Sequence, residues 1–144
     1  DPRPLTPASV ILLDTIGELA GLYAVADAAF VGATLVPLGG HNLLEPAAHG
    51  VPVLFGPHTQ NVRANADALR ESGGGCEVKD SRELADALLR LLDRPDERRR
   101  MGQAAVEAVR SQRGNAEQTV ELVIEKVLKT GFGVRGTGFG EEKK

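Results

Sequence analysis

Three times in the first 62 residues, a short aliphatic run stops at a glycine or polar break and gives way to helical spacing. This alternation restricts the fold more than any other feature. Residues 9–13 (SVILL) are broken by 14–17 (DTIG), and 18–26 then place Leu19, Leu22, Tyr23 and Ala26 on one helical face. Residues 28–31 (AAFV) stop at Gly32, and a Gly- and Pro-rich loop runs to His41. Residues 42–49 form a short helix with Asn42 as N-cap and Gly50 at its end. Residues 51–55 (VPVLF) end at Gly56-Pro57, and 61–71 form an amphipathic helix closed by Ser72-Gly73-Gly74-Gly75. Residues 76–78 add a short edge-like strand. Strands alternating with helices at this spacing predict βαβ units and a parallel sheet.

Charge divides the chain. Residues 1–62 hold five acids and one base, whereas 63–144 hold fifteen acids and sixteen bases. The first part therefore reads as buried strands with neutral loops, and the second as solvated helices. Three helices are predicted there. Residues 81–92 carry Leu84, Leu88 and Leu91 with Asp80 or Ser81 as cap. Residues 96–110 carry Met101, Ala105, Ala108 and Val109; 115–129 carry Val120, Val123, Ile124, Val127 and Leu128. Arg98-Arg99-Arg100 reads as a solvated face balanced by Asp93, Asp96 and Glu97. The Gly-rich residues 131–144 are expected to be a flexible tail after a domain spanning 1–130. Aromatics make up 3% and Trp is absent, so the core must be Leu, Val and Ala, which suits helix-on-sheet layers. A net charge of −3 argues against a nucleic-acid partner. The lone Cys76 permits no internal disulfide. There is no apolar stretch of roughly 18–20 residues. Neither a signal peptide nor an initiator Met opens the chain, which suggests an excised piece whose sheet is truncated on its N-terminal side.

The loops carry the candidate chemistry. In 39–46 (GGHNLLEP), Gly39 and Gly40 let backbone approach a ligand, and a helix start offers free N–H groups to phosphate. Glu45, one turn beyond Asn42, can accept both hydroxyls of a ribose. A purely structural alternative has Asn42 and Glu45 capping the helix reciprocally. Thr15 and Gly17 follow the first apolar run and can face a base or sugar. Gly32 and Thr34 follow the second, with Thr34 a possible phosphate donor. His58 follows the third and can reach phosphate or a transferred sugar. Each loop also has an ordinary reading as a turn or cap. Their convergence at one sheet edge favours a nucleotide-type ligand, because open α/β sheets bind ligands at strand carboxyl ends. His41, His49 and His58 lack the paired spacing of a metal site, and Cys76 reads as a small apolar residue.

The stretch from Val10 to Asn61, and above all GGHNxLEPAAxGxPVLxGPH, closely resembles the C-terminal domain of the Kdo transferases. The resemblance is looser to about Glu125. Ala33-Thr34 stands where that family usually reads Gly-Ser, and Val62 where it reads Phe. The resemblance implies a Rossmann-like parallel sheet with flanking helices, the C-terminal half of a GT-B glycosyltransferase. It implies transfer of Kdo, an acidic eight-carbon sugar, from CMP-Kdo to a lipid A precursor of lipopolysaccharide, at the cytoplasmic face of the bacterial inner membrane. Asn42 and Glu45 would bind the CMP, Glu45 through the ribose. Ile16 and Gly17 would lie against the cytosine, and Gly39-Gly40 would approach the phosphate. No metal or other cofactor is implied. The catalytic base, the acceptor surface and the membrane anchor belong to the family's N-terminal domain, so this chain alone is expected to be inactive. Other readings are a GT-B enzyme using a UDP- or GDP-sugar, a sugar-nucleotide epimerase, or a non-catalytic domain whose polar loops are only caps.

Overall fold

The computed structural model describes residues 10–129, with backbone only from 115 onward. The chain divides into two compact units at Arg110/Ser111. The first holds the sheet and its core; of the second, the helix up to Lys129 is described, with side chains only to Gly114. The tail expected at 131–144 lies outside the described residues.

The elements are α1 (Leu19–Tyr23), β1 (Ala29–Phe30), α2 (Leu44–Ala48), β2 (Val53–Phe55), α3 (Arg63–Ser72), β3 (Gly75–Glu77), α4 (Ser81–Asp93) and α5 (Pro95–Lys129). The strands form one parallel sheet in the order β1-β2-β3, with Phe30 opposite Leu54 and Leu54 opposite Cys76. This is the expected α/β fold of a parallel sheet with flanking helices.

Side chains alternate across β2 and divide the core. Val53 and Phe55 pack on one face with Val31, Leu43, Ala47, Ala66, Leu69, Ala105, Ala108 and Val109. Leu54 packs on the other face with Val78, Ala87, Leu91 and Met101. All three β2 residues are fully buried. Each such side chain contributes about 1.5–3 kcal/mol, which is why a three-residue strand holds its place.

Local signals set the ends of the helices. The Asp80 carboxylate accepts the N–H groups of Arg82 and Glu83, each at 2.9 Å, and caps α4. Gly73 ends α3 in the left-handed conformation, φ +79°. Arg98 donates to the Leu91 carbonyl at 3.2 Å and pairs with Asp27 at 3.1 Å, tying α5 to the end of α4 and to the approach to β1.

Two expectations differ from the structure. Residues 10–13 form no strand, and Val10 and Leu12 are 95% and 86% exposed. A strand exists only by pairing, and among the described residues β1 pairs with β2 alone. The helices expected at 96–110 and 115–129 are one continuous helix. Between them Gly114 is the weakest helix former, and a lone glycine costs only about 1 kcal/mol.

α5 crosses beneath the amino ends of the strands. A Cβ on Gly102 would overlap the carbonyl oxygen of Gly50, just before β2, and one on Gly74 would overlap the backbone of Ala105. Helix and chain ends are thus in backbone contact. Gly102→Ala gains about 1 kcal/mol of helix propensity. The overlap costs more, because overpacking against rigid backbone runs at about 1–3 kcal/mol or above. Thermal unfolding is expected to show Gly102→Ala as destabilising. Gly114→Ala on the same helix, where a Cβ meets nothing within 4 Å, should be neutral or stabilising.

Candidate functional site

Parallel strands end together, so the loops after β1 and β2 share the carboxyl edge of the sheet. Beside β1 runs an open groove of about 640 Å³. One wall is α1, through Leu19, Leu22 and Tyr23; the other is the chain from Ala28 to Gly32. His41, Asn42 and Glu45 close one end. The volume suits a nucleotide-sized ligand.

The walls are apolar and the closed end is polar. No hydrogen bond or ion pair engages the exposed Glu45 carboxylate among the described residues. Asn42 Oδ1 accepts the Leu44 N–H at 3.0 Å, so Asn42 shapes the start of α2 without the reciprocal bond to Glu45 that a capping box requires. The role foreseen for the helix N-terminus shrinks, because α2 has only five residues. What the site offers is a free carboxylate, an amide, an imidazole and an apolar wall. A carboxylate of this kind accepts paired hydroxyls, and the wall accommodates the face of a flat ring.

The ten residues singled out from sequence fall into three groups. Gly32, Asn42 and Glu45 line the groove. Thr15, Ile16 and Gly17 do not: all three are exposed, and the Thr15 hydroxyl donates to Glu18. Thr15 and Gly17 were expected at the sheet edge as the turn after a strand at 9–13, and residues 10–13 form none; the place of Ile16 and Gly17 against the cytosine was implied by the resemblance alone. Thr34, Gly39, Gly40 and His58 are absent from the groove's lining; Gly39 accepts from Asn61, Gly40 donates to Ala33, and the His58 backbone N–H donates to the Thr34 carbonyl. The expectation that Thr34 donates to phosphate is corrected. Its side chain is fully buried, and its hydroxyl donates to the Val31 carbonyl at 2.6 Å. Gly39 and Gly40 have positive φ, +91° and +86°, as a tight turn of this kind requires. Ala33 also has positive φ, +61°, which disfavours any residue carrying a Cβ.

Tyr23, His41 and the apolar pair Leu19 and Leu22 were not foreseen as groove residues. Helical spacing placed Leu19, Leu22 and Tyr23 on one helical face, and α1 has no buried residue. Tyr23 tilts against His49, ring centres 6.1 Å apart. Partial burial, and then the negative charge of Glu45, hold the Tyr23 phenol above its ordinary pKa of 10.0. No group of three or more His, Cys, Asp and Glu side chains among the described residues is placed to hold a metal ion.

The fold and groove define a class: a Rossmann-like α/β domain with an open groove beside β1, the kind of fold that binds ligands at the carboxyl edge of its sheet. No family model matches the chain. It is 48% identical over 83 residues to the 3-deoxy-D-manno-octulosonic acid transferase of Aquifex aeolicus, covering 58% of this chain and 24% of that protein. It is 40% identical over 124 residues to the enzyme of the same name from Haemophilus influenzae, covering 83% and 28%. The chain thus spans about a quarter of the length of these relatives. A crystal structure of the C-terminal CMP-Kdo binding domain of WaaA from Acinetobacter baumannii matches with a TM-score of 0.64 at 31% identity, over 67% of this chain and 51% of that one. Sequence and fold agree in likening this chain to part of the 3-deoxy-D-manno-octulosonic acid (Kdo) transferases.

Tyr23 is the only tyrosine and there is no Trp, so tyrosinate absorbance reports this one phenol. Its titration midpoint is expected above 10.0. Burial and the Glu45 charge both favour the neutral phenol, so removing the charge must move the midpoint down. Glu45→Gln should lower it without restoring the ordinary value, because burial is the larger cause. An unchanged midpoint would separate the two side chains.

Proposed function

We propose that this chain is the donor-binding part of a glycosyltransferase that transfers Kdo from CMP-Kdo to a lipid A precursor. The observation that carries the reading is the Glu45 carboxylate, unengaged among the described residues beside an apolar wall, in a chain whose relatives are Kdo transferases. The cytosine ring lies against Leu19, Leu22 and Phe30, and Glu45 accepts the ribose hydroxyls. His41 and Asn42 stand toward the phosphate.

Transfer needs two further things: a base for the acceptor hydroxyl and stabilisation of the charge left on CMP. We assign only the second to this chain. The base, the lipid A acceptor surface and the contact with the cytoplasmic face of the inner membrane belong to the other half of a GT-B enzyme. The chain alone therefore binds donor without turning it over.

Calorimetric titration of the chain with CMP, UDP and GDP tests the reading. CMP should bind tightest, and Glu45→Ala should weaken it at least about tenfold, the loss of one charge-assisted hydrogen-bond pair. Preference for UDP or GDP would point to another sugar nucleotide. A Glu45→Ala change that alters thermal stability alone would make Glu45 a structural residue.

A further inference from the structure

The buried Thr34 side chain touches all three segments at the carboxyl edge of the sheet. Its hydroxyl donates to Val31 O at 2.6 Å and accepts the Gly56 N–H at 2.8 Å, which joins the loop after β1 to the loop after β2. Its carbonyl accepts the His58 N–H at 2.9 Å. Its methyl group lies under Gly40, where an added Cβ would come within 3.0 Å. A Cβ on Gly56 would overlap the Thr34 carbonyl group, so no other residue fits the second loop at this approach.

The bonds around Thr34 extend the link. The Gly40 N–H donates to Ala33 O at 2.9 Å and the Asn61 N–H to Gly39 O at 3.0 Å, while Asn61 Nδ2 reaches Leu38 O at 3.4 Å. Segments 31–34, 38–40 and 56–61 are thereby laced into one body. His41 follows directly, and α2 with Glu45 begins a few residues on.

We propose that Thr34 is a positioning residue: its side chain makes these three loops hold or open as one unit, and so fixes Gly32, His41, Asn42 and Glu45 relative to the strand ends. Its hydroxyl points inward to Val31 O and Gly56 N–H and touches no ligand. Only the affinity measurement below rests on the groove being the CMP site.

The test uses the whole 144-residue chain. Amide hydrogen exchange without ligand is measured for Thr34→Val, which keeps the shape and removes the hydroxyl, and for Thr34→Ser, which keeps the hydroxyl. The amides of β2 serve as the control for folding. Thr34→Val leaves the Gly56 N–H without its partner, so exchange at Gly40, Gly56, His58 and Asn61 should rise together by about tenfold or more while β2 stays protected. Thr34→Ser should leave Gly56 and His58 within about threefold of the parent chain, as expected when both hydroxyl bonds survive. CMP affinity should fall about tenfold in Thr34→Val and stay within about threefold in Thr34→Ser. Glu45→Gln should weaken CMP without changing exchange.

Faster exchange at Gly56 alone overturns the proposal, as does a Thr34→Ser chain that behaves like Thr34→Val. Full CMP affinity in a Thr34→Val chain whose loops have loosened also overturns it. If Thr34→Val loses β2 protection as well, the Thr34→Ser comparison decides. If the parent chain binds no CMP, the donor-site reading fails, and the exchange measurements still decide the role of Thr34.

Discussion

The close approach of α5 to the amino ends of β2 and β3 is the constraint on which the rest depends. Gly102 against Gly50 and Gly74 against Ala105 bring backbone to backbone, with no room for a side chain between. From that crossing α5 sends Met101 to one face of the sheet and Ala105, Ala108 and Val109 to the other. One helix thus closes one end of the sheet and contributes to both halves of the core. The opposite end is left to loops, and the groove beside β1 reaches it at Gly32.

Strands of two and three residues are legible in sequence where a short run stops at a glycine or polar break. The runs at 28–31, 51–55 and 76–78 became β1, β2 and β3 with small shifts of boundary. The Asp80 cap and the Gly73 terminus were likewise visible, because both act within a few residues of chain. What sequence could not show was long-range. The run at 9–13 has strand composition, but composition does not supply a neighbour to pair with. The tie between Thr34 and Gly56 spans 22 residues, and a threonine in a βα loop looks the same whether it faces a ligand or its own backbone.

The candidate site divides the same way. Asn42 and Glu45 were found because a Gly-Gly turn before a short helix marks them locally. Tyr23 was missed because its pattern is that of a core face, and only the position of α1 beside β1 turns that face toward a groove. The Gly39-Gly40 turn was read as a place where backbone meets ligand. The structure gives it an internal task, since the two glycines admit Asn61 and the Thr34 methyl. The loops at the sheet edge therefore split their labour: one set holds geometry, and the other presents chemistry.

The two walls of the groove differ in how firmly they are held. The β1 wall is part of the sheet, whereas α1 buries none of its five residues. A short helix with so little packing opens locally at small cost. A ligand in the groove would therefore stabilise α1, and part of its binding energy goes into holding that helix in place. Any surface that rests on the outer side of α1 would do so in advance and tighten ligand binding from a distance. By reciprocity, the ligand would tighten that surface's hold on α1 by the same factor.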